Sequence, residues 1–177
     1  MNTRIVFLER DSVDAEFRKP AFAHEWIDFG HTPQSLLVER LAGARIAVIN
    51  KRRIGRVELE SLPELGMIAL AATGSDNVDL VACRERGVLV SNVRGYAVRS
   101  VPEHVMGLML ALSRSLFKYV GDVRAGSWSA APNFCFLDHR IGDLHGKKLV
   151  LVGAGSLGEG VSRLAQGFGM EGIRAER

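Results

Sequence analysis

Cysteine is scarce in this chain, and long runs of charge or of apolar residues are missing altogether. Each shortage closes a class of function. Of 177 residues two are cysteines. Cys83 and Cys135 are far apart and lack metal-ligand spacing, so a disulfide scaffold and a cysteine metal site are not expected, and a reducing, cytoplasmic setting fits. The 23 basic and 20 acidic residues leave a net charge of +3. They are dispersed, with no stripe to track phosphates, so no nucleic-acid partner is expected. The opening "MNTRIVFLERD" holds an apolar stretch of about four residues, too short for a signal peptide or a membrane span. No membrane partner follows from it. Low-complexity tracts and fixed-period repeats are also lacking. What is present, 47% hydrophobic and 24% charged residues, is the composition of a soluble globular chain of one or two domains.

Short β-branched runs alternate with stretches of helical period, a rhythm that predicts an α/β fold with a parallel sheet. Strands are expected at Ile5 to Leu8, Trp26 to Phe29, Ile46 to Ile49, Met67 to Ala71 and Val88 to Ser91. Between them "TPQSLLVERLAG" reads as a helix with Pro33 in its first turn and Gly43 beyond its end. "DLVACRERG" reads as another, capped by Asp79 and stopped at Gly87. These five strands make a small doubly wound domain. A different element follows. "SVPEHVMGLMLALSRSLFKYV", residues 100–120, opens on the capping-box spacing of Ser100 and Glu103 and is apolar almost all round. It predicts one long helix buried between domains or subunits. Residues 125–136 read as an irregular connector, and a new strand begins near Lys148.

That strand leads into "LVGAGSLGEG", a G-x-G-x-x-G spacing at Gly153, Gly155 and Gly158. "KKLVLVG" supplies the strand and "SLGEGVSRLAQGFG" the helix. The first two glycines allow a tight turn and a close approach of N–H groups to a pyrophosphate, and the third lets helix pack on strand. Glu176 lies near the end of a short following strand, "IRAE", where an acid accepts hydrogen bonds from adenosine ribose hydroxyls. Arg177 beside it suits a 2′-phosphate, so NAD and NADP both stay open. A structural loop, or a site for S-adenosylmethionine, is the alternative for the motif.

"ALAATGSDNVDL" puts Thr73, Gly74 and Ser75 just after the fourth strand, at a carboxyl end where open α/β sheets bind ligands. Free N–H groups in such a turn hold a carboxylate; equally, the turn is one in which Asp76 or Asp79 caps the next helix. "VINKRR" brings Lys51 and Arg53 to the end of the third strand, either to meet an anionic substrate or as a solvated loop. His24, His31, His139 and His145 read as surface residues with no acid at a telling spacing. His104, in the first turn of the long helix, reads as a capping or interface residue. The Met and Leu stripe of "VMGLMLAL" is core packing.

Taken in order, "NK" after the third strand, "ATGSDNVDL", "RGVLVSNVRGYAVRSVPEHVMGLMLAL", "GSW", "DLHGKKLVLVGAGSLG" and "AQGFGM" resemble the NAD(P)-dependent D-isomer-specific 2-hydroxyacid dehydrogenases, within them the glycerate dehydrogenase or hydroxypyruvate reductase group. The resemblance implies a flavodoxin-like substrate domain over residues 1–98 and the first part of a Rossmann NAD(P)-binding domain over 99–177. It further implies a cofactor in the cleft between them and a homodimer formed through the helix at 100–121. The substrate is then a small 2-keto or 2-hydroxy acid such as hydroxypyruvate, glyoxylate or glycerate. On the matching positions, Thr73 and Gly74 fall on the loop that holds the substrate carboxylate, with Thr73 also near the nicotinamide. Lys51 falls on a substrate-side position. Gly153, Gly155, Ser156, Leu157 and Gly158 fall on the pyrophosphate turn, and Glu176 where the family has its ribose-binding Asp.

The family's catalytic Arg, Glu and His fall beyond Arg177 in this comparison. No catalytic residue and no metal ligand is therefore assigned within the chain, which reads as a truncated, inactive portion with doubtful cofactor binding of its own. Residues from about 95 onward are expected to be loosely ordered, or buried by association. Gly172 stands where a β-branched strand residue is usual. A non-catalytic dinucleotide-sensing or interaction module of the same fold is the alternative reading.

Overall fold

Ile46 to Ile49 is a four-residue apolar run, and a strand buried on both faces has this composition because helices cover both sides of a parallel sheet. In a computed structural model of the chain, which describes residues 2–153 and 155–175, that run is a strand. Two compact units divide at Gly95 and Tyr96. In the first unit, strands β1 (Thr3–Phe7), β2 (His24–Asp28), β3 (Ile46–Ile49), β4 (Met67–Leu70) and β5 (Leu89–Ser91) form one sheet in the order β2-β1-β3-β4-β5. Every pairing is parallel. This is the flavodoxin-like order, with a switch point between β1 and β3.

Alternation along the strands fills both faces. Val6, Ala47, Ile49, Ile68 and Leu70 pack with Leu37 and Leu41 of α1 (Leu37–Leu41), Leu59 of α2 (Arg56–Glu60), and Ala82 and Cys83 of α3 (Leu80–Glu85). Ile5, Phe7 and Val48 face the other way, toward Val13, Phe17 and Trp26. The expected Asp79 cap is present: its Oδ1 accepts the Ala82 N–H at 2.9 Å. The "TPQSLLVERLAG" helix is shorter than its period suggested. A 3-10 turn at Gln34–Leu36 precedes α1, and Pro33 stands outside that turn in an extended conformation.

The second unit departs most from expectation. The long helix is two helices, α4 (Ser100–Ser113) and α5 (Leu116–Arg124). They are broken at Ser115, whose φ of 49° makes it the non-glycine residue with left-handed backbone among the described residues. The capping box is not formed. Arg99 occupies the cap position, no side chain caps the helix, and Ser100 is already helical. Within this single chain Pro102, Met106 and Ala111 of α4 are buried and Leu108 and Leu112 are exposed. A short helix α6 (Ser127–Ala130) lies in the connector. After it β6 (Lys148–Val152), α7 (Ser156–Gly167) and β7 (Glu171–Ala175) form a parallel β-α-β unit. Met106, Leu144, Ala165 and Met170 make the core of this unit. Val150, Val152 and Ile173 are exposed on the sheet. Gly172 pairs with Leu149, and a Cβ there would lie 3.1 Å from Ser162 Oγ, so its smallness serves the crossing of α7.

Candidate functional site

The parallel strands of the first unit deliver their loops to one edge, because each chain segment exits at the same end of the sheet. After β4, the Thr73 hydroxyl donates to the Val93 carbonyl at 2.7 Å, Asn92 Nδ2 donates to the Thr73 carbonyl at 2.7 Å, and the Val93 N–H donates to the Ala72 carbonyl at 3.0 Å. The turn after β4 is thus laced to the segment after β5. A Cβ at Gly74 would stand 3.0 Å from Asp76 Oδ1, so a side chain there would displace that exposed carboxylate by a few tenths of an ångström. Thr73 and Gly74 are both exposed. Among the described residues, neither of their N–H groups donates to a protein acceptor.

Loop 50–53, after β3, is tied to the same turn. Asn77 Nδ2 donates to the carbonyls of Arg52 at 2.9 Å and Asn50 at 3.3 Å, and the Ile54 N–H donates to the Asn77 carbonyl at 3.0 Å. Lys51 and the Thr73–Gly74 turn therefore belong to one wired edge. The Lys51 side chain is exposed. Sequence reasoning passed over Glu9, which organises this loop from the end of β1. It is 5% exposed. Its Oε2 accepts the N–H groups of Asn50, Lys51 and Arg52 at 2.8, 2.8 and 3.0 Å, and its Oε1 lies 3.3 Å from Arg52 Nε. Burial alone would raise the pKa of this carboxyl. The N–H groups of Arg52, Asn50 and Lys51 and the Arg52 side chain outweigh burial and hold it below its ordinary value. A contact between residues some forty positions apart leaves no local signal to find.

In the second unit the glycine motif forms the turn from β6 into α7. Gly153 has φ 106°, a conformation that favours glycine. Gly155 is the N-cap of α7 and brings no capping side chain, so among the described residues no side chain caps the first N–H groups of the helix, those of Ser156, Leu157 and Gly158. A Cβ at Gly158 would lie 3.3 Å from the Gly153 carbonyl oxygen. Gly153 and Gly155 thus bring no side chains to the entrance of a twelve-residue helix. That arrangement suits a pyrophosphate, through N–H groups and helix dipole together. A further glycine carries the helix packing: a Cβ at Gly160 would meet Pro102 Cγ at 2.6 Å. Glu176 lies outside the described residues.

His104 and His145 are exposed. His139, read from sequence as a surface residue without an acid, is partly buried and its Nε2 pairs with the Asp122 carboxylate of α5. Tyr119 donates its hydroxyl to the His139 carbonyl at 2.8 Å, so this pair anchors the connector to α5. Among the described residues no group of three metal-ligating side chains occurs, and no helix is long and apolar enough to cross a membrane.

The pattern of the D-isomer specific 2-hydroxyacid dehydrogenase catalytic domain matches residues 5–171. The chain belongs to that family. It is 43% identical over 173 residues to a glycerate dehydrogenase of Methylorubrum extorquens, covering 97% of this chain and 55% of that protein. It is 29% identical over 140 residues to a hydroxypyruvate reductase of Blautia hydrogenotrophica, covering 79% of this chain and 44% of the relative. Among solved structures, the TT0316 protein of Thermus thermophilus superposes with a TM-score of 0.81 at 26% identity, covering 99% of this chain and 56% of that one. The chain thus spans about half the length of the relatives it matches.

Proposed function

We propose that this family member serves an NAD(P)-dependent 2-hydroxyacid dehydrogenase reaction, with a small 2-keto or 2-hydroxy acid such as hydroxypyruvate, glyoxylate or glycerate as substrate. The observation that carries the reading is the pair of undonated N–H groups at Thr73 and Gly74, on the ligand-binding edge of a parallel sheet. Two adjacent donors in a glycine turn suit a carboxylate, and the Lys51 ammonium on the neighbouring loop adds positive charge. In the second unit, Gly153, Gly155, Ser156, Leu157 and Gly158 would hold the cofactor's pyrophosphate, and the residues present fit that role: glycines that bring no side chain, and N–H groups that no side chain among the described residues caps. A bound nicotinamide dinucleotide supplies the hydride chemistry. This chain's own contribution is to anchor the acid by its carboxylate and so orient its keto carbon. No residue of the chain is assigned as the acid/base. The same reading places a second copy against α4 and α5, where Leu112, Leu116 and Phe117 are exposed.

Amide chemical-shift mapping tests the reading. Hydroxypyruvate is expected to shift the Thr73 and Gly74 signals, and NADH or NADPH those of Ser156 to Gly158. Silence at both turns under saturating ligand would end it.

A further inference from the structure

Flavodoxin-like sheets of order 2-1-3-4-5 take a ligand at the β1/β3 switch point. In this chain that place is filled from within. Glu9 leaves the end of β1, and one oxygen of its carboxylate gathers three successive N–H groups from the loop after β3. The rest of the loop is held as firmly. The Arg53 N–H donates to Gln34 Oε1 at 3.1 Å, Gln34 Nε2 donates to the Arg53 carbonyl at 2.7 Å, and Asn77 holds the carbonyls of Asn50 and Arg52. Asn50 Nδ2 donates to Ser12 Oγ at 3.0 Å, and the Ser12 hydroxyl donates to the carbonyl of Glu9 itself at 2.6 Å. The exposed Lys51 side chain springs from this pinned backbone. Three converging N–H donors demand an anion: a neutral amide offers one weaker acceptor and turns an NH2 toward the Arg52 guanidinium.

We propose that Glu9 is a positioning residue. Its carboxylate occupies the anion niche of the switch point, excludes an external anion from it, and fixes loop 50–53 so that Lys51 is presented to the substrate. The role of Lys51 rests on the functional reading above; the niche and the loop do not. Among the described residues, the charged side chain in contact with Glu9 is that of Arg52. Arg10, next in sequence, turns its guanidinium to the carbonyls of Val13 and Ala15.

The test uses the whole chain and begins with the wild type. On acidification the amide signals of Asn50, Lys51 and Arg52 should titrate together, at a midpoint below the ordinary carboxyl value of 4.5. In Glu9→Gln that titration should vanish, and hydrogen exchange at the three amides should accelerate by about tenfold or more, the scale of bonds to a charged acceptor. In Glu9→Ala, added formate should refill the niche and restore protection. A wild-type titration that is absent, or that falls at the ordinary value, overturns the proposal whatever the variants do. So does a folded Glu9→Gln with unchanged exchange. Hydroxypyruvate then separates the two readings. If the wild type shows no shift at Thr73 and Gly74, the functional reading and the Lys51 part fall while the niche stands. If Glu9→Gln binds hydroxypyruvate as the wild type does, the Lys51 part falls alone. The expected result is weakening by about tenfold, absent when Lys51→Ala is already in place.

Discussion

Gly160→Ala is the substitution for which the second unit makes the sharpest demand. The added Cβ would stand 2.6 Å from Pro102 Cγ, 3.3 Å from Pro102 Cβ and 3.3 Å from the Val98 carbonyl oxygen. Carbon pairs rest at about 3.5–4.0 Å, so roughly 1 Å of separation must be found. Neither neighbour can yield it cheaply, since the proline ring is fixed to the first turn of α4 and the carbonyl is backbone. The helices α4 and α7 must part, loosening Met106 against Ala165 and Met170. Overpacking of this kind costs about 1–3 kcal/mol, while alanine in a helix gains back about 1 kcal/mol over glycine. Gly107→Ala is the matched control. It lies in the interior of α4 with nothing within 4 Å of a built Cβ, so it gains the propensity term without the clash. The difference between the two variants isolates the clash at about 1–3 kcal/mol. Urea unfolding read by hydrogen exchange at the buried Val161 and Ala165 measures it. A Gly160→Ala chain as stable as Gly107→Ala would refute the packing argument.

Thr73→Val removes the hydroxyl donor to the Val93 carbonyl and should lower first-unit stability by about 1 kcal/mol in urea; an unchanged midpoint would show that the lacing of the turn is idle. Asp79→Ala removes the acceptor for the Ala82 N–H, for an expected loss of about 0.5–2 kcal/mol, recovered in large part by Asp79→Asn. Ser115→Gly relieves a left-handed residue and should raise the melting point of the second unit, a gain of up to about 1–2 kcal/mol; a lower melting point would mean that the serine hydroxyl, which donates to the Arg140 carbonyl at 2.7 Å, outweighs the strain. Glu9 sets an acid limb. Its folded pKa is depressed, so its contribution is present above the ordinary value of 4.5 and is lost as pH falls through the lower folded value. Stability against pH should therefore lose its slope there in Glu9→Gln.

What could be read in advance was what local chemistry determines. Ile46 to Ile49 is a strand because an apolar β-branched run fits a sheet covered on both faces, and Asp79 caps α3 because a short carboxylate reaches the N–H three residues on. The break at Ser115 was hidden: "LSRSLFK" carries neither glycine nor proline, and its left-handed serine is held by a tertiary bond to residue 140. The shift of β2 to His24–Asp28 is of the same kind, since register with β1 fixes its start at Thr3 opposite His24. Glu9 and the His139–Asp122 pair stayed invisible for the same reason, each being a polar contact whose partner comes from a distant segment. Gly160 lies just beyond the motif, and its role appears only with Pro102 against it.

At the carboxyl edge of the first sheet, unpaired N–H groups decide where a ligand can be held. A turn that leaves a parallel strand presents N–H groups that the ladder no longer uses, and each needs an acceptor from protein, water or ligand. After β3 the chain answers from within: Glu9 takes the donors of 50–52 and Gln34 that of Arg53. Before α2 the Glu58 carboxylate accepts the Gly55 N–H at 2.9 Å, and before α3 Asp79 accepts that of Ala82. After β4, among the described residues, no carboxylate accepts the N–H groups of Thr73 and Gly74, although Asp76 Oδ1 would lie 3.0 Å from a Cβ at position 74. Four internal acceptors elsewhere on the edge show that the fold can supply one. On the proposed reading this pair is left for the substrate carboxylate, and crowding it should be felt directly. A Gly74→Ala variant, whose methyl and displaced Asp76 carboxylate would crowd the turn, should weaken hydroxypyruvate-induced shifts at Thr73 while the ladder amides of β3 and β4 keep their exchange rates. If that variant responds to hydroxypyruvate as the wild type does, the acid is held somewhere other than this turn.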